Sequence, residues 1–347
     1  MVGTRQHRRE GAKRNRSVAE RVASLGPRER LPVGWAERFG LRPLGQGLRD
    51  ARKAVVGRGA TPATTWDLSS LQILKPRISL HTWAGRTRAD GKVPVYNFFN
   101  RNQPPKSAPY SVKVSRCRDF RGGQWTYDSH VGTDFAVRVG TPIVTTAPGL
   151  VLRVARELDH GGLKVCIDHG QGLFTTSSHL SRALVREGEQ VERGGVIGLS
   201  GASGIEFILF FPWVAPHLHL NVWMNGEPID PFARRGEVSM WRRHNDPRPY
   251  DGKPVDEEAF EPSEWDADGV EAAIEACREH QIREKTRRFP SLERRAAEIL
   301  FHRVLSPAIF EAFPPLYARE GLRRPCLDLP FRALDFRGTW LPPVRPA

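Results

Sequence analysis

Long apolar runs are missing from this 347-residue sequence. Crossing a bilayer as a helix takes about 20 predominantly apolar residues. The longest candidate, "IEFILFFPWVAP" over 205–216, is too short, carries Glu206 and is broken by Pro212. The opening "MVGTRQHRREGAKRNRSVAE" has positive charges but no apolar core behind them, so it does not read as a signal peptide. Cysteine is scarce and scattered. Cys117, Cys166, Cys277 and Cys326 form no C-x-x-C pair, which argues against a cysteine zinc ribbon and against a disulfide framework. Cys166, inside the alternating run "LKVCID", reads as a small core residue. Acidic residues are also short in supply, with 39 Asp and Glu against 53 Lys and Arg and a net charge of +14. The imbalance is concentrated: residues 1–60 hold 15 Lys and Arg against 5 Asp and Glu. Such an arm suits nucleic acid, anionic lipid or an acidic wall polymer, or is a solvated tail. No nucleic-acid recognition motif accompanies it.

What is present supports a packed core. Hydrophobic residues make up 39% and charged residues 27%, and the length suits two modest domains or one domain with large extensions. Four regions follow from the pattern. Residues 1–65 form a basic, largely irregular arm, with a helix expected near Ser17–Ser24. Residues 66–127 read as a β-rich lead-in, with "LQILKPRISLHTW", "VPVYNFF" and "YSVKVSRC" as short strands between turn-rich spacers. Residues 128–235 hold a dense succession of short strands: "TDFAV", "PIVTTA", "GLVLRVA", "LKVCIDH", "LFTTSSHL" and "GGVIGLSG". Their spacing predicts an all-β core of antiparallel sheets, a sandwich or barrel. Residues 236–347 form a linker and an α-helical extension, because "VEAAIEACREHQIREKTRRF" and "SLERRAAEILFHRVLSPAIFEAF" space apolar residues three and four apart. Pro290 before Ser291 marks a helix start.

The chemistry-bearing residues gather in the β region. In "APHLHLNVW", His217, His219, Asn221 and Trp223 share one strand face and Leu218, Leu220 and Val222 the other. Upstream, "HVGTDFAV" sets His130 four residues before Asp134, and His179 stands in "SSHLS". Histidine and aspartate are ligand types suited to zinc, and three protein ligands leave a fourth tetrahedral position open, as catalytic sites do. Taken singly, each is more simply structural: Asp134 as a turn cap, His130 in a polar corner.

The order H-x-G-x-D, then H-L-S, then H-L-H within one compact segment resembles the lysostaphin/LytM-type zinc endopeptidases, which cut peptide bonds in bacterial peptidoglycan. The resemblance runs through "HVGTDFAVRVGTPIVTTAPGLVLRV", "VCIDHGQGLFTTSSHLS", "VREGEQVERGGVIGLSGASG" and "PHLHLNVWMNGEPIDP", about residues 128–232. It implies an all-β fold related to the barrel-sandwich hybrid and one zinc ion bound by His130, Asp134 and His219. His179 and His217 would stand beside the metal without binding it, and either would move the proton of the attacking water. Zinc brings the pKa of bound water from 15.7 to about 7 and polarises the scissile carbonyl. His169 of "IDHG" reads as a structural strand-end residue. The resemblance also implies peptidoglycan peptide as substrate and a cell-envelope or secreted location, although no export signal is visible. The oligomeric state is left open.

The chain departs from that pattern. Ser177 stands where the resemblance leads to a tyrosine two residues before the "HLS" histidine, and Asn221 where an acid is usual. The insertion at 205–215 is longer and more apolar than expected: Phe207–Phe211 would wall the substrate groove, bind a membrane or partner, or pack beneath the C-terminal helices, and the last is the simplest fate. These departures leave two other readings. One is a catalytically weak or inactive LytM-type regulatory module acting on wall hydrolases. The other is a lipoyl or biotinyl carrier, suggested by the hairpin "REGEQVERGGVIG", which however lacks the lysine such a carrier needs at its tip.

Overall fold

In the computed structural model, residues 18, 20–41, 56–57, 63–157, 161–256 and 258–344 are described. Of the expected basic arm, residues 1–17, 19, 42–55 and 58–62 lie outside the described residues. Within the arm, residues 20–23 are helical, as the sequence suggests.

Among the described residues, eleven strands pair into one sheet. They are β1 (Lys92–Asn97), β2 (Thr133–Ala136), β3 (Pro142–Val144), β4 (Gly149–Glu157), β5 (Gly162–Asp168), β6 (Leu173–Ala183), β7 (Gln190–Val191), β8 (Val196–Ser200), β9 (His217–Met224), β10 (Glu227–Ile229) and β11 (Gly338–Trp340). The main path runs β11-β1-β2-β9-β6-β5-β4-β7 and stays open, with β10 on β9 and the β3–β8 pair attached through β6. All pairings are antiparallel except β1 with β11. Helices are α1 (Trp35–Arg38), α2 (Pro76–Trp83), α3 (Ile205–Leu209), α4 (Ala267–Glu275), α5 (His280–Arg287) and α6 (Leu292–Leu305).

Two cores explain why the central strands are buried on both faces. Val165, Ile167, Leu218, Leu220 and Val222 point into one core with Phe98, Phe135 and Trp241. On the other face Cys166, Phe174 and Trp223 meet Ala273, Ile274, Ala296, Ile299 and Leu300 of α4 and α6. The C-terminal helices thus complete a second core. Glu298 of α6 is buried and paired with Arg153 of β4, with Lys285 Nζ at 2.8 Å and His302 Nε2 at 3.2 Å. Ser291 caps α6 by accepting from Arg294 N at 3.3 Å, where the sequence places the helix start.

Four expectations are corrected. "LQILKPRISLHTW" is not a strand: Asp67 caps a 3₁₀ helix over Leu68–Ile73 and Pro76 opens α2, its fixed φ pre-set for a first helical turn. "YSVKVSRC" makes a single bridge, Thr65 to Ser111, because the buried Asp128 carboxylate accepts from Ser115 N (3.1 Å) and Arg116 N (2.7 Å) and takes donors a ladder would use. The 66–127 lead-in therefore contributes one strand, β1, rather than several. The C-terminal part is more than a helical extension. Leu327, Leu329, Phe331 and Phe336 return to the first core and β11 pairs with β1. Nor do Phe207–Phe211 lie beneath the helices. Phe207 is buried with Phe39, Ala202 and Val214, and the four residues after it are exposed.

Candidate metal centre

β2 and β9 lie side by side with Asp134 opposite His219 and Ala136 opposite His217. On β9 the imidazoles share one face, and Trp223, four residues further along that face, is where the helices begin to cover it. His130 sits just before β2, and its backbone carbonyl accepts from Asn100 N at 2.8 Å. The structure brings His130, Asp134 and His219 together: one donor atom from each lies within 4.8 Å of the others. His130 Nε2 is 3.2 Å from both Asp134 Oδ1 and His219 Nδ1, and the last two are 2.6 Å apart. Nitrogen and oxygen ligands about 2.0–2.2 Å from a tetrahedral zinc ion stand about 3.3 Å from one another. Two of the three spacings match that figure, and the third needs only a small opening.

The local sequence prepares this geometry. A Cβ on Gly132 would meet His219 Cε1 and Nε2 at 2.6 Å, so the glycine of H-x-G-x-D leaves the space the ring occupies. His130 Nδ1 faces the Phe98 carbonyl at 2.6 Å. A carbonyl only accepts, so Nδ1 carries the proton and Nε2 keeps its lone pair toward the centre. Burial alone would raise the Asp134 carboxyl, but His130, His217 and His219 outweigh it and hold the group well below its ordinary value. The donor set of two imidazoles and one ionised carboxylate fits a zinc ion.

Behind Asp134 lies a support that the sequence does not reveal. Asn97 of β1 donates from Nδ2 to Asp134 Oδ2 at 2.7 Å, and Lys75 Nζ donates to Asn97 Oδ1. Lys75 is itself buried, its ammonium 4.7 Å from the Tyr96 ring and 4.9 Å from the Trp125 ring.

The two other histidines flank the triad. His217 Nδ1 faces the Ala215 carbonyl at 2.7 Å, so its Nε2, 3.7 Å from Asp134 Oδ1, is the free lone pair. His179 Nδ1 faces the Ser203 carbonyl at 2.9 Å, with Glu206 Oε1 of α3 at 3.1 Å. Burial first, then the neighbouring His217 and His219, holds His179 well below its ordinary value, and burial lowers His217 and His219 too. All three are neutral near pH 7, so the imidazoles of His179 and His217 carry an unprotonated nitrogen. The backbone of His179 is left-handed, φ 61°, beside register shifts in both the β5–β6 and β6–β8 pairings. Strain of this kind re-aims a side chain and concentrates at functional sites.

His169 bridges the Pro148 carbonyl and Thr175 Oγ1, each at 2.8 Å, in a structural role. Ser177 is buried in β6 opposite Leu220. Phenols reach the centre from elsewhere. The Tyr127 ring lies 4.8 Å from that of His130, and its hydroxyl is 2.9 Å from that of Tyr110. Burial first, then the carboxylates of Asp134 and Glu206, pushes both phenols upward against the opposing Tyr127 hydrogen bond on Tyr110, and Tyr110 raises Tyr127 further, so both stay protonated donors. Tyr110, Tyr127, Asn97, Lys75 and Glu206 are the neighbours that sequence reasoning missed. Only Glu206 left a trace, as the odd charge in an apolar insertion.

Residues 128–231 match Peptidase family M23. A LytM-type domain of that family therefore forms this part of the chain. Its β1 partner and the C-terminal helices lie outside the matched stretch. The chain is 40% identical over 111 residues to the peptidoglycan DD-endopeptidase ShyA of Vibrio cholerae serotype O1, covering 32% of this chain and 24% of that protein. It is 35% identical over 108 residues to the DD-carboxypeptidase/endopeptidase Mpg of Neisseria meningitidis serogroup B, covering 31% and 23%. A zinc-containing peptidase from Vibrio cholerae, known from its crystal structure, aligns at 28% identity with a TM-score of 0.29, over 39% of this chain and 35% of that one. The chain thus spans about a quarter of the length of the curated relatives it matches.

Proposed function

We propose that the chain is a zinc-dependent endopeptidase hydrolysing peptide bonds of peptidoglycan, in cross-links or stem peptides. The observation that carries the reading is the convergence of His130, Asp134 and His219 donor atoms within 4.8 Å, flanked by two neutral histidines. His130, Asp134 and His219 would hold the ion. When bound, zinc supplies Lewis acidity to a peptide carbonyl and to water. His179 and His217 each present an unprotonated Nε2, fixed by an Nδ1–H held on a backbone carbonyl. One of them takes the proton of the attacking water and returns it to the leaving amine. Tyr127 and Tyr110 line the centre as protonated donors suited to the oxygen on which charge develops. Asn97 and Lys75 hold Asp134 from behind.

The relative ShyA is named for peptidoglycan DD-endopeptidase activity, which makes a D-amino-acid cross-link the bond to test first. A cell-envelope site of action follows from that substrate. Among the described residues no helix is long and apolar enough to cross a membrane. The regulatory-module reading has its best support in Ser177, and the intact donor set with its two flanking histidines favours turnover. The test is release of new amino groups from purified peptidoglycan by wild type and by His179→Ala. Turnover by wild type that falls at least a hundredfold in the variant supports the reading. No release from any wall type by zinc-loaded wild type contradicts it.

A further inference from the structure

The tip of α3 and the turn after it leave Ile208, Leu209, Phe210, Phe211 and Trp213 between 43% and 58% exposed. The base beneath them is firm. Phe207 is fully buried, Ser79 donates to the Pro212 carbonyl, and Trp83 Nε1 donates to the Val214 carbonyl at 2.9 Å. The apolar surface continues sideways: Phe211 lies 4.9 Å from Trp83 and 6.1 Å from Phe39, and Trp35, 65% exposed, stacks on Phe39 at 5.7 Å. A contiguous exposed patch of this make-up marks an interaction surface.

Basic side chains stand beside it. Arg38 lies over the Trp35 ring at 4.8 Å, and Arg30 is close enough to Arg38 and Arg138 for their charges to act on one another. On α2, Arg77 and His81 are exposed beside Leu80. The carboxyl groups of α1 and α3 are engaged: Glu37 with Arg182 at 2.5 Å, and Glu206 with His179 at 3.1 Å. We infer that this face docks on an anionic lipid surface, the 208–213 tip entering the interfacial layer while Arg30, Arg38 and Arg77 meet the headgroups. Aromatic and aliphatic side chains above a basic rim are the pattern of an interfacial anchor, and Trp favours headgroup depth. Basic residues add attraction to anionic lipid. An acidic wall polymer would satisfy the arginines but offers the bare tip no apolar medium. Glu206 and Phe207 belong to the same helix and touch His179, so the docked tip would be joined through one short helix to a histidine beside the metal centre.

The test is co-sedimentation of the full chain with vesicles of phosphatidylglycerol and phosphatidylcholine, against pure phosphatidylcholine. Leu209→Ser/Phe210→Ser serves as the variant, with its melting temperature as the folding control. Binding to the anionic vesicles that weakens at least tenfold in the variant, and partly survives about 0.5 M salt, which screens surface charge, supports the inference. Quenching of tryptophan fluorescence by brominated lipid that is reduced in Trp213→Phe supports it independently of the double variant. Equal binding by wild type and variant, fully lost in salt, would show that the basic arm alone holds the lipid and overturns it. So does absence of vesicle binding, including the case where the variant instead loses retention on purified peptidoglycan.

Discussion

Asn97 donates its side-chain amide to Asp134 Oδ2 at 2.7 Å, which leaves Asp134 Oδ1 turned toward His130 and His219. The strand that carries Asn97 lies outside the matched family stretch, yet it fixes a proposed metal ligand. Loss of a partner behind a ligand typically lowers metal affinity 10–100-fold. Asn97→Ala is expected to weaken zinc binding by about that factor while the fold persists. Competition with a chromophoric chelator measures it, and unchanged affinity would remove Asn97 from the site.

Gly132 makes the second prediction. Because a Cβ there would meet His219 at 2.6 Å and the Leu220 carbonyl at 2.9 Å, Gly132→Ala must move the ring or the β9 backbone. Overpacking of this kind costs about 1–3 kcal/mol. Urea denaturation should show that loss, together with reduced zinc content. A variant of wild-type stability and zinc content would mean that His219 has more room than its contacts indicate.

Tyr127 tests the source of the hydrogen-bond donor. Tyr127→Phe keeps the ring against His130 and removes the hydroxyl. If that hydroxyl meets developing charge, turnover falls about 10²-fold with zinc content unchanged. Equal turnover would leave the phenol a packing group only.

Glu206 gives a pH dependence. Burial pushes its carboxyl up to about 8, from an ordinary 4.5. Between those values the folded protein holds a proton that the unfolded chain has released, so the group lowers stability as pH rises through that window. Glu206→Gln abolishes the effect. In metal-free protein the variant should therefore match wild type near pH 4 and exceed it in melting temperature near pH 9. A difference that is constant with pH would contradict the assignment.

The sequence made some of this legible and hid the rest for physical reasons. His130, Asp134, His179, His217 and His219 are readable because each motif lies on or beside a short strand whose alternation sets its face. The β region from Thr133 to Met224 is readable for the same reason. Leu71–Trp83 reads as a strand yet folds as helix because its apolar residues fit either period over so short a stretch, and the caps at Asp67 and Pro76 decide the outcome. Asn97, Lys75 and Tyr127 carry no local signal, since only tertiary pairing brings them to Asp134 and His130. Of the fates the sequence leaves open for the α3 tip, cover beneath the helices is the one that hydrophobicity favours for a chain in water alone. Its exposure is informative because it defeats that expectation.

The most direct measurement is zinc content by elemental analysis, paired with amino-group release from peptidoglycan, for wild type, His219→Ala and His217→Ala. The expected result is about one zinc per wild-type chain with turnover. His219→Ala loses both, and His217→Ala keeps the metal while turnover falls. Wild-type protein that binds no zinc, or a His219→Ala variant that keeps it, would contradict a centre built from His130, Asp134 and His219.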